Sequence, residues 1–170
     1  MRILFIDDEP ENVSLTREIL IEVLRAEVDL AHDVQEAIAR LHQTSYDLVV
    51  TDIFVPLGEA VHGGMGPRAR RAAEGIEHLG GLVLLDEIDR LEHPPKVLIH
   101  TACTDYALIR ILDEHKSERV RKPASPDVLL KAVMEASDEE KSKPGGLSGP
   151  QGQTVRFACY SLRRALAELH

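Results

Sequence analysis

The chain has 170 residues, enough for one domain with an appendage. Its 44% hydrophobic content excludes wholesale disorder, and with 4% aromatic residues and no Trp the core must be built from Leu, Ile, Val and Ala. The net charge of −9 excludes nucleic-acid binding over the whole surface, because a phosphate backbone would be repelled; it is compatible with carboxylates that hold a cation.

The predicted elements alternate. ILFI (3–6) is an apolar run closed by Asp7 and Asp8, as suits a buried strand. Asn12 is placed to cap a helix whose apolar face carries Val13, Ile19, Leu20, Val23 and Leu24. VDLA (28–31) reads as a second strand, and Val34 to Leu41 as a second helix. DLVVTD (47–52) is a third strand, closed by another aspartate. Residues 58–81 hold seven of the eleven glycines and three arginines, and within them Ala69 to Leu79 has good helix formers. Leu82 to Leu91 is helical, KVLIHT (96–101) a fourth strand, and Tyr106 to Leu112 a helix. Residues 119–121 form a short fifth strand before Lys122, and Asp127 to Ala136 a last helix.

Residues 138–153 (DEEKSKPGGLSGPQGQ) have linker composition. In 154–170, Val155, Ala158, Leu162 and Leu166 share one face, which predicts an amphipathic helix. Cys103 and Cys159 have no paired spacing, so neither a disulfide framework nor a zinc site is expected. Cys103 reads as a small apolar filler and His100 as a packed strand residue. The first apolar run is too short for a signal peptide, and no segment approaches a membrane span, so a cytoplasmic protein without membrane contact is expected.

Strand alternating with helix five times predicts a five-stranded parallel sheet covered on both faces. Such sheets bind ligands at the carboxyl ends of their strands. Those ends carry Asp7, Asp8, Asp52, Thr101 and Lys122. Three carboxylates at one edge repel unless a cation joins them, and hard oxygen ligands favour Mg²⁺ completed by phosphate. A lysine and a hydroxyl at the same point suit phosphoryl oxygens, and an aspartate can accept a phosphoryl group.

The motifs IDDEP (6–10), LVVTDIFVP (48–56), VLIHTA (97–102) and RKP (121–123) resemble the receiver domain of two-component response regulators. Any one of these motifs alone is weak; four in order, each ending a strand, are specific. The resemblance covers roughly residues 1–137 and implies a doubly wound, flavodoxin-like (CheY-like) α/β fold, with 154–170 as an extra C-terminal helix. It implies Asp52 as phosphoacceptor, with Thr101 bonding a phosphoryl oxygen and Lys122 pairing with it. It also implies Asp8 as a direct Mg²⁺ ligand, Asp7 through water, and Asp52 and the backbone carbonyl of Phe54 completing the protein's share. Ala102 is the small residue that gives the phosphoryl group access, and Lys122–Pro123 is a bond often cis in the family.

The sequence departs from the pattern in two places. Arg119 stands three residues before Lys122, where the family has an aromatic residue that turns inward on signalling. The span from Asp52 to Thr101 is longer than usual, which places an insertion at 58–80 after the third strand. The insertion is either a flexible surface loop or a lid that brings Arg68, Arg70 or Arg71 to the phosphoryl group. It lacks the Gly-Lys-Ser/Thr of a phosphate-binding loop. Phe54 and Cys103, two residues past Asp52 and Thr101, are apolar and predict slow self-dephosphorylation.

The expected function is therefore that of a single-domain response regulator, not an enzyme beyond catalysing its own phosphorylation and dephosphorylation. Its expected partners are a histidine kinase or histidine phosphotransfer protein and a downstream protein target, without direct DNA binding. The amphipathic tail would cover the domain or mediate a homodimer. The alternative is a pseudo-receiver scaffold that does not signal by phosphorylation. A flavodoxin-like nucleotide- or flavin-binding enzyme fits less well, since Asp7-Asp8-Glu9 follows the first strand where a glycine fingerprint would stand.

Overall fold

The computed structural model describes residues 1–58, 66–71, 79–115 and 117–138. The expected C-terminal helix at 154–170, the linker beyond Asp138 and residues 72–78 of the expected Ala69–Leu79 helix lie outside these. Five strands, β1 (Arg2–Ile6), β2 (Glu27–Ala31), β3 (Leu48–Thr51), β4 (Lys96–Thr101) and β5 (Glu118–Arg121), pair in parallel in the order β2-β1-β3-β4-β5. That order is the doubly wound, flavodoxin-like one, so the expected fold class holds. The helices among the described residues are α1 (Ser14–Leu24), α2 (Val34–Gln43), α3 (Pro67–Arg71), α4 (Gly80–Ile88), α5 (Tyr106–Asp113) and α6 (Pro126–Asp138).

The inner strands are buried on both faces, as a sheet sandwiched by helices requires. Leu4, Ile6, Val49 and Ile99 pack with residues of α2, α4 and α5 in one cluster. Burying each such side chain contributes about 2 kcal/mol, which favours this sandwich over any arrangement that exposes a strand face.

The N-cap position of α1 falls on Val13, one residue after the expected Asn12. Residues Pro10–Val13 form a 3₁₀ turn that runs straight into the helix, and Val13, at the N-cap, offers no side-chain bond. Proline at the start of the turn favours this entry, since its missing N–H needs no partner there. The start of α2 is capped in the ordinary way. Asp33 accepts from the Glu36 amide at 2.7 Å, and Glu36 accepts from the His32 amide at 3.0 Å. Asp33→Ala is expected to destabilise the protein by about 1 kcal/mol, read as a lower urea midpoint with unchanged slope.

Helix α4 begins two residues before the expected Leu82. Gly80 and Gly81 belong to its first turn, and their amides donate to the carbonyls of Val55 (3.0 Å) and Ile53 (3.2 Å). A Cβ on Gly81 would meet the Asp52 carbonyl oxygen at 2.4 Å, and one on Gly80 the Val55 oxygen at 2.3 Å. The two glycines thus let a helix lie directly on the backbone that leaves Asp52. Helix α4 is also buried on almost every side. A helix carrying LVLL cannot turn all of these toward one sheet, so a second layer must cover it. That layer is α3, whose Ala69 is wholly buried.

Candidate functional site

The sheet register builds the site. Ile6 pairs with Thr51, so the next residues, Asp7 and Asp52, leave the sheet side by side. Their amides continue the ladder, Asp7 to the Ala31 carbonyl at 3.1 Å and Asp52 to the Ile6 carbonyl at 3.3 Å. Thr101 pairs with Arg121, and the Lys122 amide donates to the Thr101 carbonyl at 2.9 Å. Four strand ends therefore deliver Asp7, Asp52, Thr101 and Lys122 to one edge.

Lys122 joins the carboxylates. Its Nζ lies 2.6 Å from Asp7 Oδ2 and 2.8 Å from Asp52 Oδ2. Asp7, Asp52 and Thr101 are all buried, and the lysine side chain is 21% exposed. Two buried carboxylates at one point would repel, and the shared ammonium neutralises part of that charge. Burial pushes the Asp52 carboxyl upward, but hydrogen bonds from Lys122, Thr101 and the Phe54 amide outweigh it and hold the carboxyl below its ordinary value. Lys122 is the mirror case: burial lowers it, and the bonds to Asp52 and Asp7 leave it raised. The Phe54 amide donates to Asp52 Oδ1 at 3.1 Å, which orients the carboxylate. The Lys122–Pro123 peptide is cis.

Asp8 is exposed, in contrast to Asp7. Among the described residues, no three or more His, Cys, Asp or Glu side chains gather closely enough to hold a metal ion. Phe54 is 41% exposed, and Cys103 is buried with its amide donating to Thr101 Oγ1 at 3.3 Å. His100 is buried, and among the described residues neither ring nitrogen has a hydrogen-bond partner. Burial, then the Lys122 charge, lowers its pKa and keeps the ring neutral, so it packs as a strand residue.

Arg119 does not pack inward. It is exposed and bonds Asp113 at 3.0 Å across the surface. Arg119 and Arg121 border a pocket of about 340 Å³ that Thr101 and Ile109 also line. Two of the three arginines of the glycine-rich stretch, Arg68 and Arg71, are engaged with α4 and with the residues that follow α4 and α5. Arg68 Nη1 bonds Asp86 at 3.1 Å and Asp89 at 2.7 Å, and Arg71 bonds both oxygens of Glu114. Asp86 is a residue the sequence reasoning missed. Its signal is the first acid after the apolar run LVLL of α4, beside Glu87, which must find donors once buried.

No family model matches the chain. Regulatory protein VanRB of Enterococcus faecalis is 29% identical over 133 residues, which are 78% of this chain and 50% of that protein. The chain thus spans about half the length of the curated relative it matches. A response regulator receiver domain protein (CheY-like) from Methanospirillum hungatei aligns with a TM-score of 0.63 at 22% identity, over 82% of this chain and 95% of that one. A response regulator receiver domain protein from Clostridium thermocellum aligns with a TM-score of 0.58 at 24% identity, over 82% and 96%. The fold is that of a response-regulator receiver domain. Within the receiver fold, the Asp7–Asp52–Lys122 cluster lies at the carboxyl edge of the sheet, the general binding edge of doubly wound folds. No helix among the described residues is long and apolar enough to cross a membrane.

Proposed function

We propose that this chain is the receiver of a two-component phosphorelay and that it accepts a phosphoryl group on Asp52. The observation that carries the reading is the bridge from Lys122 Nζ to Asp7 and Asp52 at the sheet edge. A carboxylate kept ionised by its neighbours is a nucleophile at neutral pH. An Asp52 oxygen attacks phosphorus of the donor's phosphohistidine. The P–O bond forms as the P–N bond breaks, and the electron pair of the broken bond stays on the imidazole, which takes a proton from solvent. Lys122 and the Thr101 hydroxyl stabilise the charge on the transferred oxygens.

Mg²⁺ would be held by Asp7, Asp8, Asp52 and the Phe54 carbonyl, all hard oxygen ligands: the Lys122 ammonium already draws Asp7 and Asp52 to one point, and Asp8 would have to turn in from the surface to join them. When bound, the ion supplies positive charge to the phosphoryl oxygens. The proposed partners are a histidine kinase or histidine phosphotransfer protein and a downstream protein target.

With Mg²⁺ and acetyl phosphate, the wild-type protein is expected to gain one phosphoryl group by mass, and Asp52→Asn none. The adduct should persist for minutes or longer, since neither Phe54 nor Cys103 offers an attacking water a strong hydrogen bond. An unmodified wild type would refute the reading; a lifetime of seconds would refute the role of those two residues. The surface pairing of Arg119 with Asp113 favours a second reading, a scaffold whose contacts ignore phosphorylation. Partner binding that is equal for wild type and Asp52→Asn, with and without acetyl phosphate, would select it.

A further inference from the structure

We propose that residues 66–71 are a clamp that ties the loop leaving Asp52 to the C-terminal end of α5, so that a change of charge at Asp52 reaches α5 through α4. The inference rests on Asp52 being the phosphoacceptor. Its first link is the start of α4. The amides of Gly80 and Gly81 bond the carbonyls of Val55 and Ile53, and the missing Cβ atoms let the helix touch that backbone. The loop cannot shift without α4.

The second link is Asp86, whose side chain is 1% exposed. Its carboxylate accepts from the Arg68 and Ala69 amides, both at 3.1 Å, and from Arg68 Nη1. Gly66 lies against it, where a Cβ would come within 2.3 Å of Asp86 Oδ2. A carboxylate this buried is held by its donors, so 66–71 is fixed to α4. The third link faces α5. Arg68 Nη1 reaches Asp89, Asp89 Oδ1 lies 3.3 Å from His115 Nε2, and Arg71 grips Glu114 at 2.6 and 2.8 Å. Arg71, Glu114 and Asp89 are roughly half exposed, and such pairs are weak and exchangeable. One jaw is therefore buried and permanent, and the other is solvated and releasable. That asymmetry suits a transmitted shift, while the residue facing α5 from β5, Arg119, sits in a surface ion pair.

The test uses the full chain with Mg²⁺ and fluoroberyllate. ¹⁹F NMR reports the adduct, and amide hydrogen exchange reports the end of α5, Ile111 to His115. In the wild type the adduct is expected to change exchange there about fivefold. In Arg71→Ala/Asp89→Ala, which opens the α5 jaw and leaves Asp86 and the Asp52 cluster intact, the adduct should still form but most of that change should vanish. An equal change in both proteins, or none in the wild type despite a formed adduct, overturns the clamp and leaves the Asp52 reading standing. No adduct in the wild type overturns the Asp52 reading and the clamp with it.

Discussion

Lys122→Ala should slow phosphorylation of Asp52 by acetyl phosphate about a hundredfold or more, the usual cost of losing one positioned electrostatic contact to a reacting group. The same change leaves Asp7 and Asp52 buried without their shared cation. Breaking a buried pair from one side costs about 3 kcal/mol, because the remaining charge is uncompensated. The pH dependence separates this from simple loss of packing. In the wild type the Asp52 carboxyl lies below its ordinary value. Such a group contributes stability above its unfolded value, near pH 4, and loses it as pH falls through the folded value. Without Lys122, burial is opposed only by Thr101 and the Phe54 amide, and the carboxyl moves upward. The variant's urea midpoint should then rise from pH 7 to pH 5, where protonation relieves the buried charge, and the wild type should show no such rise. Parallel pH profiles would rule out Lys122 as the counter-ion.

Gly81→Ala should lower stability by about 2 kcal/mol, or Tm by roughly 8 °C. The added methyl would sit 2.4 Å from the Asp52 carbonyl oxygen and 2.5 Å from Ile53 Cα. Both are backbone atoms, so no side-chain rotation relieves the contact. Either α4 lifts away or the loop moves, and in both cases the Gly81–Ile53 bond lengthens. The phosphorylation rate should fall as well, because the Phe54 amide that orients Asp52 belongs to that loop. Differential scanning calorimetry and acetyl phosphate labelling check the two effects. A melting profile like that of the wild type would mean that the helix start has slack that the contacts do not suggest.

Much of the site is legible in one dimension. Asp7, Asp52 and Thr101 each close an apolar run, and Lys122 follows a short strand. In a parallel sheet all strand ends of one kind share an edge, so finding the strands nearly finds the site. Asn12 misleads because a capping residue is a local signal, and Pro10 offers the chain a 3₁₀ entry that bypasses it. Gly80 and Gly81 look like loop residues for the same reason: only the backbone they touch, twenty-odd residues earlier, makes glycine necessary inside a helix.

Hydrophobic period and strand-end polarity thus determine the sheet, its covering helices and four of the residues at its edge, because burial acts on each segment through its own side chains. Tertiary packing alone decides which aspartate of the Asp7–Asp8 pair is buried, that Lys122 spans two carboxylates, and that Arg68 and Arg71 grip α4 and the residue after α5. Those contacts join residues up to 115 positions apart. Their geometry depends on where separate elements come to rest against one another, which no local pattern encodes.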